Sequence, residues 1–394
     1  MGYVERISSD KFERWPGKAS MLRRLDFELT ERCNNNCIHC SINLPADDPS
    51  ALERELSAGE VRRMLTEVAA LGGMEARFTG GEPLLREDFE ELYLFARRLG
   101  LKVMIFTNGR LIDRRLADLF AKIPPLIPIE ITVYGMHSDS YEDVTRVKGS
   151  FAQFRRGLEL LRQRNVPFAI KTALLPPNRE EIDELESFAA DIPWMDAPPQ
   201  RVVFLEKRCR RDDPEKDRRI EAMRLSPEEA LAVITRRADR YRKEMYEFCG
   251  KFLGPPGDRL FPCGAGHGGS VDAYGRLEPC LGLRAPELTY DLRNGSLKEA
   301  VLDFFPRVRV MRASNAEYLR RCARCFLKSL CDQCPARSWN ETGALDRPLE
   351  FQCSLTHLQA QWLGLLRPGE HGWEIEDWPS RIGHIPRENP SCRL

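Results

Sequence analysis

The chain has 394 residues, 42% of them hydrophobic, enough to bury a large core and to divide into two domains. Lysine plus arginine and aspartate plus glutamate both number 60, so the zero formal charge disfavours a nucleic-acid substrate. With thirteen cysteines, no signal peptide and no apolar run near membrane-spanning length, we expect a cytoplasmic, metal-binding protein with reduced thiols and no membrane partner.

Six apolar segments have the length and composition of β-strands, and stretches with helical periodicity separate them. Such alternation is typical of repeated βα units, so we expect an α/β fold built on a parallel sheet. The predicted strands are residues 25–29, 76–79, 102–107, 127–133, 168–174 and 201–205.

Two predicted helices begin with a capping box, in which a serine and the glutamate three residues later satisfy each other's backbone N–H groups. These boxes are Ser57 to Glu60 and Ser226 to Glu229. Between the last predicted strand and the second box, residues 206–219 are dense in both charges. We interpret that segment as a solvated connection, with a binding surface for a charged peptide as the alternative.

Three cysteines follow the first predicted strand in a CxxxCxxC pattern, at Cys33, Cys37 and Cys40. Three thiolates hold three irons of a [4Fe-4S] cube and leave the fourth iron open for a small molecule. In isolation, the same spacing also suits half of a zinc site or a structural thiol cluster.

A second motif, Phe-Thr-Gly-Gly-Glu-Pro at residues 78–83, ends the next predicted strand. With both motifs, the chain resembles the radical SAM superfamily, whose members bind S-adenosylmethionine (SAM) on the open iron of such a cube. The resemblance implies a partial (βα)6 TIM-like barrel with SAM and the cluster at the carboxyl ends of the strands. It also assigns the [4Fe-4S] cluster of the SAM site to Cys33, Cys37 and Cys40.

The resemblance implies a set of SAM-contacting residues as well. Glu82 would accept a charge-assisted hydrogen bond from the SAM ammonium. Gly80 and Gly81 would let the backbone come close, because neither has a Cβ. The full set is His39, Gly80, Gly81, Glu82, Pro83, Thr107, Asn108, Thr132 and Lys171.

Several members of this set have an ordinary alternative. His39 precedes the last loop cysteine, where the family often has an aromatic residue near adenine. Thr107 and Asn108 resemble the segment near the methionyl carboxylate, but Thr-Asn-Gly also suits a turn that ends a strand. Thr132 would take the place of a ribose-contacting hydroxyl and Lys171 would face the same pocket, unless these strand residues point elsewhere.

A second group of cysteines occupies the carboxyl-terminal part of the chain. Eleven residues separate Cys263 from Gly275 and four separate Gly275 from Cys280, which resembles the hairpin of the SPASM extension of radical SAM enzymes. That extension binds two auxiliary iron–sulfur clusters, expected here to be [4Fe-4S]. The cysteines of this group are Cys263, Cys280, Cys322, Cys325, Cys331, Cys334 and Cys353.

By the family's arrangement, one auxiliary cluster would have four cysteine ligands, namely Cys322, Cys325, Cys331 and Cys353. The other would have only Cys263, Cys280 and Cys334, with Cys249 as a fourth ligand or with an open iron. Two residues separate Cys331 from Cys334, where the family usually has three. A pair of zinc knuckles is the alternative for this region, and Cys209 and Cys392 are expected to be ordinary thiols.

We divide the chain into an amino-terminal extension (1–20), a radical SAM partial barrel (21–225), a linking helix (226–248), an auxiliary-cluster SPASM domain (249–365) and a tail (366–394). The tail contains Trp373 and Trp378. We expect these aromatic side chains to anchor it to the core, with a cover for the barrel mouth as the alternative.

The resemblance implies reductive cleavage of SAM to a 5′-deoxyadenosyl radical that abstracts a hydrogen atom from a substrate. Three segments resemble those of ribosomal-peptide (RiPP) maturases, so the expected substrate is a precursor peptide. They are Phe106-Thr-Asn-Gly109, Ile129-Glu-Ile-Thr-Val-Tyr-Gly135 and Cys334-Pro-Ala. Leu281 follows Cys280 where sulfatase-maturing enzymes have an aspartate, which argues against that subgroup. A small-molecule oxidoreductase or rearrangement enzyme and a non-catalytic electron-transfer protein are the alternatives.

Two further partners are expected. Only 32 residues precede Cys33, too few for a leader-binding domain of ordinary size, so a separate small leader-peptide-binding protein is expected. SAM cleavage also needs a low-potential electron, so we expect a donor such as flavodoxin or ferredoxin.

Overall fold

The computed structural model describes residues 22–207 and 212–382. The predicted extension 1–20, Cys209 and Cys392 lie outside the described residues. The chain forms two compact units: the first runs through Met223 and also includes residues 264–281 and 286–308, and the second comprises 224–263, 282–285 and the residues from Arg309 onward. Over the described ranges, none of the helices combines the length and apolar character needed to cross a membrane.

A nine-stranded sheet is the centre of the first unit, in the order β11-β10-β9-β1-β4-β5-β6-β7-β8. The stretch from β9 through β8 is parallel, and β10 and β11 add antiparallel pairs at one edge. A separate two-stranded sheet pairs β2 with β3. The strands of both sheets are β1 (Arg24–Thr30), β2 (Arg32–Cys33), β3 (Leu44–Pro45), β4 (Glu75–Gly80), β5 (Lys102–Thr107), β6 (Ile129–Thr132), β7 (Phe168–Ala173), β8 (Gln200–Val202), β9 (Gly269–Val271), β10 (Arg276–Glu278) and β11 (Tyr290–Asp291).

The six predicted strands correspond to β1 and β4–β8, and the predicted α/β fold with a parallel sheet is confirmed. The last of them is shorter than predicted, because β8 pairs with β7 only through Val202. Phe204 and Leu205 are buried but lie beyond the strand. Buried apolar residues thus continue past the end of the strand. An apolar run in the sequence therefore does not show where the hydrogen-bonded strand pairing ends.

Alternate side chains of the strands form the apolar layer beneath the helices. In β1, Phe27 is aligned with Phe78 of β4, and their rings meet edge to face at 6.1 Å. Both are fully buried, and burying one such side chain stabilises the fold by about 1.5–3 kcal/mol. The opposite faces of these strands carry polar residues such as Glu28 and Thr79, which places polar chemistry on the other side of the sheet.

The helices cover this sheet and build the second unit. They are α1 (Pro49–Arg54), α2 (Ala58–Ala70), α3 (Phe89–Arg98), α4 (Arg114–Lys122), α5 (Ser138–Thr145), α6 (Ser150–Gln163), α7 (Ile182–Ala190), α8 (Pro214–Ala222), α9 (Pro227–Ile234), α10 (Ala238–Phe252), α11 (Leu297–Glu299), α12 (Phe305–Arg309), α13 (Ala316–Arg320), α14 (Pro335–Thr342), α15 (Glu350–Trp362) and α16 (Trp378–Ile382).

Both predicted capping boxes are present. Ser57 and Glu60 exchange hydrogen bonds at the start of α2, and Ser226 and Glu229 do so at the start of α9. The charged segment 206–219 is not wholly a connection, because α8 begins within it at Pro214. A capping aspartate and a proline at the first helical position favour a helix there despite the charge density.

The second unit has its own apolar core. Phe326 and Leu327 are fully buried in it, and α10 and α15 contribute further side chains. Both tail tryptophans pack against this core, and Trp378 stacks on Phe326 with a ring distance of 6.0 Å. The prediction that aromatic residues anchor the tail is therefore confirmed for the described part of it.

Candidate functional site

The cysteine loop leaves the carboxyl end of β1, and Cys33 is the last residue of the short strand β2. Backbone hydrogen bonds attach this loop to the end of α5: Asn36 N donates to Thr145 O (2.9 Å) and Ile38 N donates to Val144 O (3.0 Å). The loop is thus held at the strand ends, where a βα fold places its chemistry.

The three thiols of the loop lie in a largely apolar setting. Cys37 is buried in a cluster with Val144, Leu175 and Leu205, and Cys40 packs against the same cluster. Burial raises the pKa of Cys33 to about 12, and the nearby Glu82 carboxylate adds to that effect. Burial also holds the pKa of Cys37 well above its usual range. Iron must therefore displace protons when it binds, since the thiolate is the ligand form.

This donor set fits the cube that its spacing predicts. The three thiols lie close together, since the thiolate charges of Cys33 and Cys40 raise the pKa of Cys37 and that of Cys40 raises the pKa of Cys33. Soft thiolates in an apolar setting suit an iron–sulfur cluster, and three of them leave one iron without a protein ligand.

Gly80 and Gly81 bring the next strand end directly against the segment before Cys33. Gly80 has a φ of 126°, and a Cβ there would lie 2.1 Å from the carbonyl oxygen of Thr30. A Cβ on Gly81 would lie 2.2 Å from the carbonyl oxygen of Arg32. Glycine is required at both positions because the two backbones touch.

The Glu82 side chain connects its own turn to the segment that ends β5. Its Oε1 accepts from Thr107 Oγ1 (2.8 Å) and from Leu84 N (3.1 Å), and its Oε2 accepts from Asn108 N (2.8 Å). Burial raises the pKa of Glu82 to about 7, although these hydrogen bonds oppose the shift. An ionised carboxylate has about four acceptor positions, so one remains for the SAM ammonium. That contact stays a prediction.

Asn108 and Arg110 attach the cysteine loop to the end of β5. Asn108 Nδ2 donates to Asn34 Oδ1 (2.7 Å) and lies 3.8 Å from the sulfur of Cys33. The buried guanidinium of Arg110 donates to the carbonyl oxygen of Asn34 and to the side chain of Asn35. Sequence reasoning missed Arg110, and its position directly after the Thr-Asn-Gly motif was the available signal.

We expect Arg110→Met to loosen the cysteine loop, because the buried Asn35 side chain and the half-buried carbonyl oxygen of Asn34 then lose a charged donor. An unsatisfied buried acceptor costs about 1–3 kcal/mol. The variant should unfold at a lower temperature and retain less iron after anaerobic reconstitution. Arg156→Met, at an exposed position of α6, is the matched control. Equal iron content in both variants would contradict the anchoring role.

The remaining predicted SAM contacts lie on the same strand-end loops or on the strands themselves. Pro83 is buried and starts a short 3-10 turn after Glu82. His39 has a buried Nδ1 without a partner among the described residues, and burial lowers its pKa to about 4. Thr132 and Lys171 are partners in the register of β6 and β7, and the Lys171 ammonium contacts Glu130. Their contacts with SAM stay predictions.

Four carboxyl-terminal cysteines come together in the second unit. Cys322, Cys325, Cys331 and Cys353, the four ligands predicted for one auxiliary cluster, line one cavity. Their role as ligands stays a prediction. Burial raises the pKa of both Cys322 and Cys325 to about 12.

The other predicted auxiliary ligands are distributed differently. Cys280 belongs to the first unit, whereas Cys263 and Cys334 belong to the second. Cys249 lies in the apolar core of the second unit, and burial raises its pKa to about 11. Its ligand role stays a prediction.

Across residues 22–207 and 212–382, no group of three Cys, His, Asp or Glu side chains is arranged to hold a single metal ion.

Comparison with known proteins gives the class. The family model described as Radical SAM superfamily matches residues 27–189, a range that contains all three loop cysteines and the Gly80–Gly81 segment. Residues 27–189 are thus a radical SAM domain, and the similarity indicates an enzyme. Enzymes of this class use SAM and a [4Fe-4S] cluster, which the loop at Cys33, Cys37 and Cys40 fits.

Two curated relatives illustrate the range of similar proteins. An AdoMet-dependent heme synthase of Methanosarcina barkeri is 26% identical over 341 residues, which cover 82% of this chain and 93% of that protein. The mycofactocin maturase MftC of Mycolicibacterium smegmatis is 32% identical over 166 residues. That alignment covers 42% of this chain and only 40% of the maturase.

Two solved structures share the fold. Native anSMEcpe with bound AdoMet and Cp18Cys peptide has a TM-score of 0.59 and 15% identity, over 86% of this chain and 96% of that one. Streptococcus suis SuiB bound to the precursor peptide SuiA has a TM-score of 0.54 and 16% identity, over 86% and 76% of the two chains. At such low identity the likeness concerns the fold.

Proposed function

We propose that this enzyme cleaves SAM reductively and uses the 5′-deoxyadenosyl radical to abstract a hydrogen atom from a residue of a ribosomally made precursor peptide. The product would be a cross-link or another oxidative modification. The observation that carries the peptide substrate is the shared fold, over 86% of this chain, with two enzymes that hold a peptide. The partial similarity to the mycofactocin maturase supports the same assignment.

The residues of the site act by placement and shielding. When bound, the cluster supplies one electron to SAM. Asn108 and Arg110 fix the loop that carries the thiols, and Glu82 fixes the two strand ends beside it. The apolar cluster around Cys37 would keep water away from the thiols of the loop, as radical chemistry requires.

The proposal extends to the accessory parts. Cys322, Cys325, Cys331 and Cys353 would hold one auxiliary cluster, and Cys263, Cys280 and Cys334 would hold the other. These clusters would accept the electron that the substrate loses when a new bond forms. A leader-peptide-binding protein and a flavodoxin or ferredoxin would complete the system, in the reducing cytoplasm.

Incubation of the reduced, reconstituted protein with SAM and candidate precursor peptides tests this function. We expect deoxyadenosine together with a loss of mass from the peptide, about two units if one bond forms with loss of two hydrogens. The Cys37→Ala variant is the control, since it lacks one of the three loop thiols. Deoxyadenosine without any change in peptide mass would contradict the peptide assignment.

A second candidate is chemistry on a tetrapyrrole, favoured by the match to 93% of the length of the heme synthase. The same reaction mixture with an iron-porphyrin precursor in place of peptide separates the two candidates. Formation of heme, detected by its absorbance and mass, would favour this second function. Modification of a peptide and no change in the porphyrin would favour the first.

A further inference from the structure

The cavity lined by Cys322, Cys325, Cys331 and Cys353 has a strongly one-sided charge environment. Two cationic side chains, Arg321 and Lys328, also line it, together with His357 and Trp373. Of the described residues that line the cavity, none is acidic. A cube held by four thiolates is an anion and gains one more negative charge on reduction. The surroundings therefore favour the reduced form.

Arg321 is the cation in closest contact with a predicted ligand. Its Nη2 donates to the sulfur of Cys353 at 3.2 Å. Its Nε is buried and has no hydrogen-bond partner in the part of the chain that the structure describes. Buried donors are nearly always paired in folded proteins, so this N–H is a donor available to a further acceptor at the site.

Other contacts hold the guanidinium in place. Glu350 accepts from Nη1 at 2.7 Å and from Nη2 at 3.1 Å, and Glu317 accepts from Nη1 at 2.8 Å. The guanidinium also lies over the ring of Trp373, 4.8 Å from its centre. A fixed Arg keeps its charge at any accessible pH and directs its donors in one geometry.

Helix α15 and the tail close the remaining sides of Cys353. His357 follows Cys353 by four residues on one helix face, and its Nε2 accepts from Gly372 N at 3.0 Å. Its Nδ1 therefore carries the hydrogen and donates to the carbonyl oxygen of Cys353 at 2.7 Å. A Cβ on Gly372 would lie 2.8 Å from the sulfur of Cys325, so the tail backbone covers that sulfur closely.

We propose that Arg321 sets the reduction potential of the iron–sulfur cluster at this cavity, raising it by donating hydrogen bonds to the Cys353 thiolate and, through Nε, to a second sulfur of the cluster. The inference rests on the auxiliary cluster proposed above and not on the identity of the substrate. Hydrogen bonds and positive charge at cluster sulfurs stabilise the more negative, reduced state. Arg321 is thus a positioning and tuning residue.

The test measures the potential of this cluster alone. We use the full chain with five cysteines replaced by Ala: Cys33, Cys37, Cys40, Cys263 and Cys280. This variant keeps the four thiols of the proposed cluster, together with Cys249, Cys334 and the two expected free thiols. A redox titration followed by electron paramagnetic resonance gives its midpoint potential with Arg321 and with Arg321→Gln. We expect a lower midpoint potential in Arg321→Gln and a smaller decrease in Arg321→Lys, which keeps the charge.

A second variant should shift the midpoint potential in the opposite direction, which a general loss of structure would not do. The Glu350 side chain is 71% exposed, so Glu350→Gln should fold normally while removing the anion that partly offsets Arg321. We expect it to raise the midpoint potential. Arg224→Gln is the matched control, since Arg224 is a similarly buried arginine in the same unit, paired with Glu341 and absent from the cavity lining. It should leave the potential unchanged.

Equal potentials with Arg321 and with Arg321→Gln would overturn the proposal. The lack of an iron–sulfur cluster in the variant with five cysteines replaced by Ala would also overturn it. Neither result decides the peptide assignment, because the unmodified chain would still form deoxyadenosine and change the mass of its peptide. The lack of a cluster would remove only the auxiliary cluster proposed at these four cysteines. A failure of this inference is therefore distinguishable from a failure of the peptide assignment.

Discussion

Replacement of Cys37 by Ala is expected to abolish SAM cleavage. Cys37 is the most enclosed of the three loop thiols, at 4% exposure, and its place in an apolar cluster leaves little room for a substitute ligand. Loss of one of three thiolates leaves the cube with too few protein ligands. Deoxyadenosine formation should fall to background, and about four irons per chain should be lost.

The control for this variant is Cys392→Ser, because Cys392 is expected to be an ordinary thiol. It should retain the iron content and the SAM cleavage of the unmodified protein. Iron analysis and chromatography of the reaction mixture measure both quantities. Undiminished deoxyadenosine formation in Cys37→Ala would remove this thiol from the site.

Gly81→Ala is expected to produce a large loss of stability. The new Cβ would lie 2.2 Å from the carbonyl oxygen of Arg32 and 2.6 Å from that of Glu31. Both carbonyl oxygens belong to the backbone of residues 30–32, which hydrogen bonds from Gly81 N and Glu82 N hold in place. The clash therefore cannot be relieved by a rotation of a side chain. The free energy of unfolding should fall by about 3 kcal/mol or more.

Urea unfolding of the iron-free protein measures this loss without any contribution from the cluster. Gly250→Ala is the matched control, since nothing lies within 4 Å of the position of its Cβ and the residue belongs to α10. Alanine in a helix interior should stabilise that position by about 0.5–1 kcal/mol. Similar stability of the two variants would show that the backbones at Gly81 are not packed as described.

Local patterns were sufficient for much of the fold. The strands β1 and β4–β7 and the starts of α2 and α9 follow from periodicity and capping residues, which depend on neighbours in sequence. The pairing of β9 with β1 was not predictable in this way, because Gly269–Val271 joins a strand more than 230 residues earlier in the chain. A three-residue strand is too short to show a hydrophobic pattern from which such a partner could be predicted.

The site shows the same division. Spacing was sufficient to predict the three loop cysteines and the Gly-Gly-Glu segment as site residues, because each set lies within one short sequence motif. Arg110 and Arg321 escaped notice because their role comes from contacts across the fold, with Asn34 in one case and with Cys353 in the other. Glu82 was predicted to contact SAM, and the structure adds its hydrogen bonds to its own turn and to the neighbouring loop after β5.

The central claim is that three thiolates of one loop hold a [4Fe-4S] cube whose open iron binds SAM. The most direct test is electron nuclear double resonance on the reduced, anaerobically prepared protein, with SAM carrying 15N in its amino group. The account predicts a 15N coupling to the cluster that disappears when Cys33, Cys37 and Cys40 are replaced by Ala. Zinc at these thiols in place of iron, or a cluster signal without any 15N coupling, would contradict it.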